Sequence, residues 1–264
     1  MTESFATLEV TNPQPGILLV TLNRPLVRNA LNSEMMSDLF RLWRELYVRC
    51  DGISCVILTG KGDKAFCAGA DLKERNTIDT ETWLQQHAVL EQAMGSMLDC
   101  PVPIIAAVNG AAFGGGLELV LACDFAYASS QASFAFPEAK IGIIPGAMGT
   151  QRFPEACGLR RAKELCFTGS SFTAAQACEW GIINKVCEPA DLMQEVLSVA
   201  SKIVSNAPLA VRQVKKALDV AGQPDIRSRY RYEIEAYSKL ISTQDREEGT
   251  RSFNEKRPPV FTGK

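Results

Sequence analysis

An α/β fold with largely parallel sheets, ending in a purely helical tail, is what the sequence predicts. Three observations lead there. Short apolar runs of buried-strand type, Cys55–Leu58 and Ile104–Val108, alternate with segments of helical periodicity. Strand signals stop after Asp191, and everything beyond it carries helical spacing. The chain has 264 residues, 46% hydrophobic and 22% charged, which suits one large globular core plus an appendage at roughly 150 residues per domain. The expected division is a core over 1–190 and a helical region over 191–264, whose apolar faces call for a partner subunit.

Taken in order, Thr7–Thr11 and Ile17–Leu22 read as a hairpin turned by Asn12-Pro13-Gln14-Pro15-Gly16. Asn32-Ser33 can cap a helix that runs to about Arg49, with Met35, Leu39, Leu42 and Leu46 on one face. A loop is expected around Gly60–Asp71, and a helix over Thr80–Leu98. The uncharged stretch Cys100–Leu117 contains Pro101, Pro103, Asn109 and Gly110, then Gly114-Gly115-Gly116, so it reads as a buried strand and a glycine turn rather than a membrane span. The tail holds helices over Leu192–Val204, Ala210–Val220, Ile226–Ile241 and Asp245–Phe253.

A formal net charge of −2 supplies no general attraction for nucleic acid or an anionic membrane. Nine scattered cysteines without a CxxC pair read as reduced thiols with no structural zinc. With no charged or arginine-rich leader before Arg24, the expected compartment is the cytoplasm. The single histidine, His87, lies on a helical stripe with Trp83, Leu90 and Met94. It reads as a partly packed helix residue, which sets aside metal and Ser-His chemistries.

Chemistry concentrates in three neighbourhoods: Ala65–Lys73, Gly114–Leu119, and Phe136–Ala139 followed by Gly142–Gly146. Three glycines entering a helix permit close ligand approach and leave backbone N–H groups free at the positive end of the helix dipole, a place for an anionic oxygen. The same glycines fit close backbone packing at a tight turn. Glu118 sits in the first helical turn amid Leu117, Val120, Leu121 and Ala122. It either caps the helix start or, with its pKa raised by burial, moves protons. Glu138 is a second acid, solvated or paired with Glu118 in acid–base work beside an activated carbonyl.

At these residues the chain resembles the crotonase (enoyl-CoA hydratase/isomerase) superfamily. The matching segments are Asn29-Ala30-Leu31-Asn32, Ala68–Lys73, Gly114–Leu119, Pro137-Glu138, Ile144-Pro145-Gly146, Gly149–Arg152 and Glu255-Lys256-Arg257. The resemblance implies a spiral of ββα units and a C-terminal helical region that builds homotrimers or hexamers as dimers of trimers. It implies an oxyanion hole from the N–H groups of Ala70 and Gly115, with Glu118 and Glu138 adding water across the 2,3-double bond of a 2-enoyl-CoA thioester. It further implies an acyl-CoA contact along Asn29, Ala30, Leu31, Ala68, Asp71, Leu72, Lys73 and Gly114, with Lys256 reaching a neighbouring subunit's ligand. Neither a metal nor a cofactor is implied, coenzyme A being part of the substrate. The same hole serves isomerases, decarboxylases and methylglutaconyl-CoA-type hydratases, and one homologue binds RNA. Arg41, Arg44 and Arg49, interspersed with Glu34, Asp38 and Glu45, form an ordinary solvated face instead. One departure stands at Met148, where related hydratases have glycine; its side chain is expected to narrow or reshape the acyl pocket.

Overall fold

Alternation along the central strands decides the layering. In the strand Ile53–Gly60, Val56 and Leu58 point to one apolar cluster while Cys55 and Ile57 point to another, so both faces of the sheet are covered. This computed structural model describes residues 4–222 and 225–264. A hairpin, β1 (Leu8–Gln14) and β2 (Gly16–Leu22), opens the chain. Its first strand runs three residues beyond the expected end at Thr11, with a register shift between Thr11 and Gln14 where Pro13 lacks a donor. Helix α1 (Ser33–Val48) follows, capped by the Asn32 side chain, which accepts from Met35 N–H at 3.0 Å.

Thereafter strands come in pairs that divide between two sheets. The pairs are β3 (Ile53–Gly60) and β4 (Ala65–Cys67), β5 (Ile104–Val108) and β6 (Ala111–Phe113), β7 (Phe125–Ser129) and β8 (Ser133–Ala135). Helix α2 (Leu72–Arg75) and helix α3 (Thr80–Leu98) follow the first pair; α4 (Gly115–Ala122) follows the second. After a 3-10 turn over Glu138–Ile141 come α5 (Gly149–Cys157), α6 (Leu159–Thr168), β9 (Phe172–Thr173), α7 (Ala174–Glu179) and β10 (Lys185–Cys187). One sheet has the order β1-β2-β3-β5-β7-β10, the other β4-β6-β8-β9. All pairings are parallel except β1–β2 and β8–β9. Repeating β–β–α units thus wind as a spiral, and the ends of β4 and β6 lie side by side.

The larger core cluster joins one face of the six-stranded sheet to α1 and α3, with Trp43, Leu42, Leu46 and Phe66 fully buried. Burying side chains of this size stabilises by about 1.5–3 kcal/mol each. On the other face, Ile17, Cys55, Ile57 and Ile105 pack on Leu192, Val196 and Ala200 of α8 (Leu192–Val204). Helix α9 (Pro208–Asp219) is pinned to the sheet by Lys215, whose ammonium donates to Asp124 Oδ2 at 2.9 Å and Val102 O at 3.1 Å. Helices α10 (Ile226–Ser238) and α11 (Gln244–Glu255) complete the tail. The uncharged stretch 100–117 spreads over β5, β6 and the start of α4, and among the described residues no helix is long and apolar enough to cross a membrane.

Candidate active site

Close backbone approach builds the site. Helix α4 is seated directly against β4: a Cβ on Gly116 would stand 2.1 Å from Cys67 O, a distance no side chain survives. Gly114 turns the chain with φ 52° and ψ −123°, and a Cβ there would lie 2.8 Å from Glu138 Oε1. Gly115, the first residue of α4, has no carbonyl four residues back for its N–H. On the neighbouring strand end, Leu31 N–H donates to Gly69 O at 2.8 Å and Asp71 N–H to Leu31 O at 2.9 Å. Between them the Ala70 N–H has no partner among the described residues. The two strand ends approach so closely that a Cβ on Gly69 would fall 3.5 Å from Gly115 N.

Two carboxyl groups face this corner. Glu118, one turn into α4, is buried, and its Oε1 accepts from the backbone N–H groups of Ala147 at 2.7 Å and Gly149 at 2.9 Å. Burial pushes its pKa up, and those two donors pull it back. No hydrogen bond occupies Oε2 among the described residues. Glu138, at the start of the 3-10 turn, is also buried, and its Oε2 is enclosed without a hydrogen-bond partner. Burial raises its pKa to about 7, opposed by its own backbone N–H and assisted by the Glu118 charge. The turn itself is tethered by Lys140, which donates to Gly169 O at 2.7 Å.

A cavity of about 520 Å³ opens on this corner. Of the residues singled out by sequence, Leu31, Ala68, Ala70, Leu72, Gly115, Glu118 and Glu138 line it. The others do not. Asn29 is fully buried beneath it, donating to Lys61 O at 3.0 Å and Ala65 O at 2.9 Å, and Arg24 donates to the Ala30 carbonyl. Asp71 caps α2 and pairs with Arg24 at 3.0 Å. Lys73 is exposed on α2, Gly114 supplies the turn behind the wall, and Lys256 ends α11 away from the cavity.

Trp83, Leu84, His87 and Leu90 of α3 also line the cavity, within the stretch from Asn76 to Leu90 that sequence reasoning lays over the acyl tail, with Ile143 and Ile144 opposite; Arg75 of α2 and Ile141 are the wall residues it passed over. His87 packs so tightly on Gly146 that a Cβ there would stand 2.6 Å from its Cε1. The i, i+4, i+7 spacing of Trp83, His87 and Leu90 carried the signal for a common face. The expectation for Met148 needs correction. Its side chain is 45% exposed and does not line the cavity. What is unusual there is the backbone, in the left-handed region at φ 72°, which favours glycine.

Comparison with known proteins agrees with this architecture. The family model described as enoyl-CoA hydratase/isomerase matches residues 12–264. The short-chain-enoyl-CoA hydratase of Clostridium acetobutylicum is 41% identical over 245 residues, 91% of this chain and 92% of that protein. The crotonyl-CoA hydratase of Syntrophomonas wolfei is 36% identical over 97% of this chain and 98% of its own length. The enoyl-CoA hydratase structure from Bacillus anthracis superposes with a TM-score of 0.95 at 40% identity, covering 98% of this chain and all of that one.

Proposed function

The chain belongs to the enoyl-CoA hydratase/isomerase family, and within it we propose that it adds water across the 2,3-double bond of a 2-enoyl-CoA thioester. The observation that carries this reading is the unlike treatment of two buried carboxyls on one cavity. Glu118 is fixed by two amide donors on one oxygen, while Glu138 is held near neutrality with a pKa of about 7. In this reading Glu118 Oε2 orients a water and takes its proton as oxygen attacks C3. Glu138 delivers a proton to C2, and the pair is restored by the opposite exchange with solvent. General acid and base of this kind each contribute about 10²–10⁴-fold.

Charge that develops on the thioester oxygen would be met by the N–H groups of Ala70 and Gly115, the helix dipole of α4 adding to the second. A single well-aimed donor is worth about 3–4 kcal/mol in the transition state. Apolar lining by Leu31 and Leu90, both buried, lowers the local polarity, which strengthens both effects. The reading includes a homotrimer or a dimer of trimers. Ile226, Tyr230, Ile234 and Tyr237 expose apolar surface along α10 that such a contact would cover, and sedimentation tests it. Hydration is measured as loss of the conjugated-thioester absorbance of crotonyl-CoA. The unmodified protein should turn over, and Glu118→Gln and Glu138→Gln should each lose at least 100-fold in kcat. Turnover retained in both variants would refute the assignment.

A further inference from the structure

The two carboxyls of the cavity are held by different means. Glu118 is gripped directly by two backbone amides, whereas no other residue among those described hydrogen-bonds the Glu138 carboxyl. Its place is therefore inherited from the four-residue turn, Glu138–Ile141, that carries it. The backbone bonds of that turn stay within 137–143: Lys140 N–H donates to Pro137 O at 2.9 Å and Ile143 N–H to Glu138 O at 3.2 Å. The hydrogen bond that leaves the turn is made by a side chain. Lys140 Nζ donates to Gly169 O at 2.7 Å, where α6 ends.

Gly169 is shaped for that contact. It caps α6 in the left-handed conformation, φ 59° and ψ 28°, and a Cβ on it would stand 2.8 Å from Lys140 Cε, 3.2 Å from Cδ and 3.3 Å from Cγ. The lysine stem thus lies flat on a residue without a side chain, and its ammonium meets the negative end of the α6 dipole. Just past Gly169 the chain enters β9, where Phe172 pairs with Phe134 of β8, and β8 leads back into the Glu138 turn. Strand pairing before the turn and the lysine within it close a ring. Lys140 does not line the cavity, although its neighbours Glu138 and Ile141 do. The titratable groups within electrostatic reach of the Glu138 carboxyl are Glu118 of α4 and Cys166 of α6, with Arg75 and His87 on the same cavity wall. Resting on the hydratase reading, we propose that Lys140 is a positioning residue for the acid of the reaction. By fastening the turn to the corner between α6 and β9, it sets where the Glu138 carboxyl stands and keeps Oε2 from water.

Lys140→Met keeps the stem on Gly169 and removes the donor, while Lys140→Arg keeps a donor. In crotonyl-CoA hydration Lys140→Met should lose roughly 5- to 20-fold in kcat with KM within about twofold, and Lys140→Arg should recover most of the loss. A loosened turn admits water to Oε2, so the decline of kcat with rising pH should begin below the value of about 7 that the enclosed Glu138 sets in the parent. A change in KM alone, a kcat loss with the pH profile unmoved, or no change at all would overturn the proposal. Urea unfolding reads the same coupling without turnover. Glutamine cannot ionise, so Glu138→Gln should gain on its parent as the buffer is taken from about pH 5 to about pH 8.5, and in the Lys140→Met background that gain should shrink to about half or less. A smaller gain supports the tether even if no thioester is hydrated. Equal gains in both backgrounds would overturn the tether, and hydration by the unmodified protein would then still stand.

Discussion

Glu138→Gln offers the most quantitative prediction, because one substitution removes both a proton donor and a buried ionisation. In the folded chain Glu138 holds its proton up to a pKa of about 7, against an ordinary 4.5. Below pH 4.5 folded and unfolded chains are both protonated, and the group adds no pH dependence. Between 4.5 and 7 the folded chain keeps a proton that the unfolded chain has released, so stability falls as pH rises. Above 7 the loss is complete, at up to roughly 3 kcal/mol for this displacement. Glutamine cannot ionise and lacks this fall. Any fixed penalty from its amide beside the unpartnered Oε2 position is the same at every pH. Urea unfolding at pH 5 and pH 8.5 should therefore show the variant gaining on the parent by up to roughly 3 kcal/mol, on the order of 1 M in midpoint. In the same preparations, kcat of the parent should decline above pH 7, as a required acid is lost, while the variant's residual rate stays flat. Equal spacing of the two midpoints at both pH values would refute the reasoning.

Other expectations follow from the packing. Glu118→Ala leaves the Ala147 and Gly149 N–H groups buried without an acceptor and should cost about 2–4 kcal/mol in urea unfolding, whereas Glu118→Gln keeps a carbonyl for them and should cost about 1. Gly114→Ala forces a Cβ to 2.8 Å from Glu138 Oε1 at a positive φ; kcat should drop at least tenfold and stability by about 1–2 kcal/mol. Met148→Gly relieves a left-handed backbone and should raise stability by about 0.5–1 kcal/mol, leaving the preference among acyl chain lengths unchanged because the side chain is outside the cavity.

Long periodic elements were legible in the sequence for a physical reason: enough turns or alternations accumulate for the pattern to stand out. Helix α3 has the predicted bounds, and α1 begins at the predicted cap. Strands β4, β6, β8 and β9, two or three residues each, carry no period at all and exist because their neighbours in the second sheet accept their backbone groups. Helices α5 to α7 escaped for a related reason, since Pro154 interrupts the first and Gly158 separates it from the second. At the site, the glycine turn and the apolar setting of Glu118 are local properties. Whether Glu138 was solvated or enclosed is not local: the parallel arrangement of β6 and β8 puts the turn after β8 against Gly114. Glu74 shows the limit best, since only the fold brings its carboxylate to Ser33, whose N–H and Oγ donate to it at 2.9 Å each.

The arrangement around Glu118 also explains why a side chain as large as methionine can occupy position 148. The Ala147 and Gly149 N–H groups converge on one carboxylate oxygen, and the residue between them must reverse the chain locally, which the left-handed conformation does. Two charge-assisted hydrogen bonds to a buried acceptor outweigh the roughly 1–2 kcal/mol that a non-glycine residue costs in that region. A Cβ on Gly149, by contrast, would stand 2.8 Å from the same Oε1, so glycine is required at the second amide and only convenient at the residue before it. The demand for small residues in this loop therefore comes from how closely the backbone approaches the carboxylate, and the side chain at 148 is not part of the cavity lining that the carboxylate serves.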